Sequence, residues 1–165
     1  MKSVEAAALV DAQPKRVWDL YADVPGSVRW VPFVEEILYI SGPAGLGQVY
    51  RERTRLGGIR DVAEWRVIEW DPPRRQVQLS TDKRMDARLV IEVEPVGVKS
   101  RVRQRVILRS RLIPPLSWPP EQLFAMVSKR GIRLAVRAAQ RHLERDTLER
   151  AGPPRPPPVH HRRQP

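Results

Sequence analysis

The residues best suited to chemistry form a short alternating run, Tyr50-Arg51-Glu52-Arg53-Thr54-Arg55. In an extended strand successive side chains point to opposite faces, so Tyr50, Glu52 and Thr54 share one side and the three arginines the other. If the first set faces an apolar interior, desolvation raises the Glu52 carboxyl towards neutrality. Glu52 and the Tyr50 hydroxyl then become candidate proton-transfer groups. The alternation equally allows the arginines to face inward, or Glu52 to pair with an inner cation.

Other reactive groups are few. There is no cysteine, which excludes thiolate nucleophiles, disulfides and cysteine metal sites. His142 falls in a cationic segment where a surface histidine is ordinary. His160 and His161 lie in the C-terminal tail with nothing nearby to complete a four-ligand set, so we expect no metal and no cofactor. The stretch Gly42-Pro43-Ala44-Gly45-Leu46-Gly47 lacks a following Lys-Ser/Thr and opens no long helix, so it fails as a phosphate loop. It reads as a turn, and we expect it at the mouth of the cavity inferred below.

These groups must be positioned by a chain of 165 residues, one domain's worth, carrying a formal charge of +11. The segment 120–150 (PEQLFAMVSKRGIRLAVRAAQRHLERDTLER) dominates it: nothing breaks a helix there between Pro120 and Gly152-Pro153. Some thirty residues make a rod on the order of 45 Å long. Leu123, Val127, Leu134 and Ala138 fall on one face of it, with Phe124, Gly131 and Ala135 beside them. Lys129, Arg133, Arg137, Arg141 and Arg145 form a cationic stripe.

Upstream, strand patterns prevail. Val4, Ala6, Ala8 and Val10 alternate in a first strand; Pro14 opens a short helix with Val17, Trp18, Leu20 and Tyr21 on its buried side, and a helical turn runs through Val28-Arg29-Trp30. Six strands then follow with tight turns. On their inner faces we expect Trp65 and Val67; Val77 and Leu79; Ala87, Leu89, Ile91 and Val93; and Val102, Gln104, Val106 and Leu108. Short turns imply antiparallel pairing, and only the long helix is large enough to cover the apolar face. The class is α+β: a curved antiparallel sheet of about seven strands around one long C-terminal helix, with two short helices after the first strand.

On the outer face, Arg101, Arg103, Arg105, Arg109 and Arg111 alternate along the last strand. Glu64, Glu92 and Glu94 should share that face on neighbouring strands and neutralise much of the charge through cross-strand pairs. No exposed aromatics interleave the arginines, so nucleic acid, like an anionic membrane surface, is not the favoured partner. No apolar run approaches 18 residues, and Met1-Lys2-Ser3 leads straight into alternating sequence. We therefore expect neither a membrane span nor a signal peptide, and a cytoplasmic protein.

The element order, with AQPKRVWDLYADVPGSVRWVPFVEEI after the first strand and WRVIEWDPPRR later, resembles the polyketide cyclase/dehydrase group of the START-like, helix-grip superfamily (SRPBCC). The resemblance spans about Val4 to Leu148. It implies a cavity for a hydrophobic ligand between helix and sheet, but no common catalytic motif. Members include aromatic polyketide cyclases, lipid carriers, coenzyme Q-binding proteins and plant hormone receptors.

The expected organisation is a ligand-binding domain over residues 1–151 and a disordered Pro/Arg-rich tail over 152–165. The expected partner is a polyketide, lipid or isoprenoid, lined by Trp30, Phe33, Trp65, Val67, Leu79, Leu89, Ile91, Val106, Trp118, Val127, Gly131, Leu134 and Ala135. Aromatic rings with small helix residues leave space that suits such a guest. Three roles stay open: an aromatase/cyclase using Glu52 or Tyr50, a non-enzymatic lipid or quinone carrier, and an RNA- or ribosome-associated module using the basic surface.

Overall fold

A computed structural model describes residues 1–81, 85–110 and 118–151. The chain runs β1 (Lys2–Val10), α1 (Pro14–Ala22), α2 (Ser27–Trp30), β2 (Val34–Ile40), β3 (Val49–Leu56), β4 (Ile59–Asp71), β5 (Arg75–Thr81), β6 (Met85–Val96), β7 (Lys99–Ser110) and α3 (Trp118–Ala151). Pro14 occupies the first turn of α1, and Pro119 and Pro120 the first turn of α3. Their missing N–H groups cost nothing there, because the first turn has no intrahelical acceptor for them.

The seven strands make one antiparallel sheet in the order β1-β7-β6-β5-β4-β3-β2. Strands β2 to β7 are a meander, and β1 closes onto β7 with Lys2 opposite Leu108 and Val10 opposite Ser100. The β3–β4 hairpin turns on Gly57 and Gly58 at φ 62° and 84°, a left-handed conformation that favours glycine in a two-residue turn. Register shifts in β2 and between Val67 and Glu69 of β4 bend the sheet.

Helix α3 packs chiefly against β1 and β7, at one side of the sheet. Its buried face is Ile132, Ala135, Val136, Ala138, Ala139 and Leu143, while Arg133, Arg137 and Arg141 are exposed. The main core gathers Val10, Val17, Trp18, Tyr21, Ile91, Val93, Val102, Val136, Ala139 and Leu143. Helix α1 is sealed to it by Trp18, whose ring meets Trp70 edge-on at 4.9 Å. Because α3 leans on β1 and β7, it leaves much of the concave face of β3 to β5 uncovered, although α1 touches that face at Trp70 and Gln76. This is the helix-grip arrangement.

Two expectations need correcting. Leu134 is only half-buried, and the centre of the helix's inner face lies at Val136 and Ala139. On β5 the inward face is Gln76, Gln78 and Ser80, while Leu79 pairs across the sheet with the exposed Arg66 and Arg88 and faces outward. Val77, also on the outer face, is nonetheless fully buried. Around it run the ion pairs of Arg75 with Glu69 and Glu92, and of Arg103 with Glu92. Long charged side chains cover apolar surface with their stems, so an outward valine need not be a wet one.

Candidate functional site

Between α3 and the open half of the sheet lies a cavity of about 1280 Å³. That is above the usual range for small-molecule sites, roughly 300–1,000 Å³. Its walls come from β3 to β7, from α1–α2 with the start of β2, and from α3. Small residues make the space: Ala87 on β6, and Gly131 and Ala135 on α3, leave room that larger side chains would fill. Gly131 also marks where the helix meets the sheet, since a Cβ there would lie 3.1 Å from Leu56 Cδ2.

Of the expected lining residues, the structure brings Trp30, Phe33, Trp65, Leu89, Ile91, Val106, Val127, Gly131 and Ala135 onto the cavity wall. It does not bring Val67, Leu79 or Leu134 there. Val67 faces inward beside Gln78 and is buried without reaching the cavity wall; Leu79 is on the convex face; Leu134 sits beside the helix's inner face rather than on it. The Trp118 side chain lies outside the described residues, as do residues 152–165 and Arg111. Loop 42–47 contributes nothing to the wall. It is held instead by Gln48, whose Nε2 donates to the Gly42 carbonyl at 2.8 Å, and by the Gly47 N–H, which donates to the Val67 carbonyl.

Tyr50, Glu52 and Thr54 all line the cavity. Glu52 stands between Ile37 and Ala63 in register, and its Oε1 accepts a hydrogen bond from Trp65 Nε1 at 3.0 Å. Burial pushes its carboxyl up from the ordinary 4.5 to about 7, and the indole hydrogen bond offsets only part of that rise. What surface Glu52 retains faces the cavity, which is why it is both accessible and desolvated. No ion pair with a cation involves it among the described residues. The neighbouring arginines look the other way, Arg51 to Glu64 and Arg53 to Glu36.

Deeper in the cavity is a polar relay that strand periodicity does not reveal. The Tyr50 hydroxyl donates to Gln78 Oε1 at 2.6 Å, Gln78 Nε2 to Gln76 Oε1 at 3.2 Å, and Gln76 Nε2 to the Tyr21 carbonyl at 3.5 Å. Burial holds the Tyr50 hydroxyl well above its ordinary value, and the Glu52 charge adds to this. Tyr50 therefore stays neutral and acts as a donor, not as a base. The signal was present as Gln76 and Gln78 in a strand whose apolar residues suggested the opposite face. Tyr21, Ser27, Ser80, Met85, Leu108 and Ile132 also reach the wall; their types alone did not distinguish them from core.

On the outer sheet face, Arg101 pairs with Glu94, Arg103 with Glu5 and Glu92, and Arg105 with Glu5 at 2.9 Å. Much of the last strand's charge is thus neutralised within the sheet. Glu64 pairs instead with Arg51 on β3. Among the described residues no three His, Asp or Glu side chains come together as a metal site, and no helix is long and apolar enough to cross a membrane.

A curved seven-stranded sheet gripping one long helix over a large, mostly apolar cavity is the START-like class of architecture. The chain matches the family model of polyketide cyclase / dehydrase and lipid transport proteins over residues 1–146, and it belongs to that family. Among solved structures it is similar to the Zhui aromatase/cyclase from Streptomyces sp. R1128, at 19% identity and a TM-score of 0.79, covering 92% of this chain and 99% of that one. The protein TTHA0849 from Thermus thermophilus superposes at 18% identity and 0.74, covering 88% and 99%. A START superfamily protein from Mycobacterium smegmatis does so at 11% and 0.71, covering 87% and 97%. Likenesses at such identities show the fold, which many activities share. No curated protein sequence matches the chain.

Proposed function

We propose that the protein binds one hydrophobic small molecule of polyketide, lipid or isoprenoid type in this cavity, and that Glu52 makes it a cyclase/dehydrase. The observation that carries the reading is the Glu52 carboxyl, buried without a cationic partner among the described residues and held by the Trp65 indole, on the wall of a mostly apolar chamber large enough for a polycyclic guest. The aromatase/cyclase among the similar structures supports the choice of chemistry.

In this reading the cavity folds a linear poly-β-ketone so that two of its carbons come together, which is largely a matter of positioning. The ionised Glu52 takes a proton from a methylene flanked by two carbonyls. The enolate carbon adds to a third carbonyl, forming the ring bond, and the Glu52 carboxyl returns its proton to the resulting alkoxide. The carboxylate then removes the hydrogen left on the former methylene and passes it to the departing hydroxyl, so that one water leaves per double bond formed. No oxidant or reductant is consumed. A carboxyl titrating at about 7 is suited to both halves of this exchange. The Tyr50 hydroxyl, fixed on Gln78, adds polarity to the same wall.

The test has two parts. Native mass spectrometry of gently purified protein should find one apolar molecule per chain. A linear poly-β-ketone thioester should cyclise faster with the wild type than with Glu52→Gln at equal occupancy. Equal rates would leave binding without catalysis.

A further inference from the structure

Among the described residues, three polar atoms at the α1–α2 end of the cavity have no hydrogen-bond partner. The Tyr21 hydroxyl, Ser27 Oγ and Trp30 Nε1 are buried without a hydrogen-bond partner, and all three residues line the cavity. The fourth such atom among the described residues, Arg103 Nε, lies on the outer face and has Glu5 as its ion-pair partner. Unsatisfied buried groups are rare in folded proteins, and three on one wall require an explanation.

They also belong together. The rings of Tyr21 and Trp30 meet edge-on at 5.2 Å, and Ser27 lies three residues before Trp30 in α2. Tyr21 is 7% exposed and faces the buried Gln104. The Gln104 carboxamide is near enough to favour the ionised form of Tyr21 slightly, against the larger effect of burial, but the two lack the geometry of a hydrogen bond. The relay from Tyr50 ends on the Tyr21 carbonyl and leaves its hydroxyl unused.

The chemistry of the three selects a ligand. An indole N–H only donates, while the two hydroxyls donate or accept, so the missing group must contain an acceptor oxygen. Charge narrows it further. Arg29, the cation of α2, is already bound to Asp23 at 3.2 Å, and Asp23 itself borders the cavity. A carboxylate here would meet Asp23, and the one arginine among the described residues lining this cavity, Arg60, is itself paired with Glu35. We propose that Tyr21, Ser27 and Trp30 form a subsite for the carbonyl or hydroxyl oxygen of a neutral, otherwise apolar ligand. The assignment rests on the ligand-cavity reading but not on Glu52 chemistry.

Matched probes test it: naphthalene, 2-naphthol and 2-naphthoate, titrated calorimetrically into wild type and into Tyr21→Phe/Ser27→Ala. A plain apolar cavity prefers naphthalene, since a hydroxyl without a partner loses its water for nothing. The subsite reverses this, and 2-naphthol should bind about tenfold tighter than naphthalene, with 2-naphthoate weakest. In the double variant the ratio of the first two affinities should fall to one or below. Trp30→Phe should lower it independently, which covers a double variant that fails to fold. A wild type that prefers naphthalene, a preference that survives the substitutions, or 2-naphthoate binding as well as 2-naphthol would overturn the subsite. Saturable naphthalene binding would then remain to support the cavity; no binding by any probe would overturn both.

Discussion

The indole nitrogen of Trp65 donates to Glu52 Oε1 at 3.0 Å, joining adjacent strands on the inner face of the sheet. A single neutral donor thus stands where a buried carboxylate would ordinarily have a cation. It stabilises the ionised form too little to undo burial, and the carboxyl titrates at about 7.

This makes stability depend on pH in a definite sense. Between 4.5 and about 7 the folded protein keeps a proton on Glu52 that the unfolded chain has lost. Glu52 therefore weakens folding progressively as pH rises through that window, and by a constant amount above it. Relative to wild type, Glu52→Gln should gain stability across the window, by up to on the order of 3 kcal/mol. Thermal midpoints measured from pH 4 to 8 check this; parallel curves for the two proteins would refute it.

Filling the cavity should remove ligand binding without unfolding the protein. Ala135 is buried on α3 and lines the chamber, so a phenylalanine there has open space ahead of it. Ala135→Phe should abolish saturable quenching of tryptophan fluorescence by a polycyclic probe, at an overpacking cost of about 1–3 kcal/mol. Undiminished binding in a folded variant would mean the guest sits elsewhere.

The helix face can be tested by one charge at two positions. Ala139 is fully buried and Leu134 half-buried. Ala139→Asp should cost several kcal/mol in urea denaturation, or prevent folding, whereas Leu134→Asp should cost clearly less. Equal losses would show that α3 is rotated from the orientation described.

The Tyr50–Gln78 hydrogen bond invites a double-mutant cycle. Tyr50→Phe leaves the buried Gln78 oxygen unpaired and should destabilise by about 1–3 kcal/mol. Adding Gln78→Leu should recover part of that loss, giving a coupling energy of about 1 kcal/mol. Strictly additive losses would show that the bond contributes nothing to stability.

How far the fold could be read in advance varies from strand to strand. In β7 polar and apolar residues alternate without conflict, so the inward positions of Gln104 and Val106 follow from period alone, whereas in β3 the period groups Tyr50, Glu52 and Thr54 on one face without saying whether that face or the arginine face is inward. In β5 the same rule misleads. Its apolar residues Val77 and Leu79 face outward, Val77 beneath ion-paired side chains, and its inner face is amide and hydroxyl because the cavity wall is polar there. On α3, apolar residues at 127, 132, 134, 136 and 143 wind around the helix. Only its docking on β1 and β7 selects 132, 136 and 143 as the buried set. The grouping of Tyr21, Ser27 and Trp30 was illegible, since it arises where two short helices meet the cavity end.

The pairing of the first strand with the last bears on how the chain fares while it is being made. Lys2 sits opposite Leu108, and α3 rests on both β1 and β7. During synthesis β1 therefore waits for nearly all the sheet, and the concave face carrying Ile91, Val93, Val102 and Val106 has only partial cover, from α1, until α3 leaves the ribosome. Long-range closure of this kind is slow and exposes apolar surface in the meantime. The hollow that would later hold a guest is, in the nascent protein, an unroofed sticky sheet, and the final helix is what turns an aggregation hazard into a container.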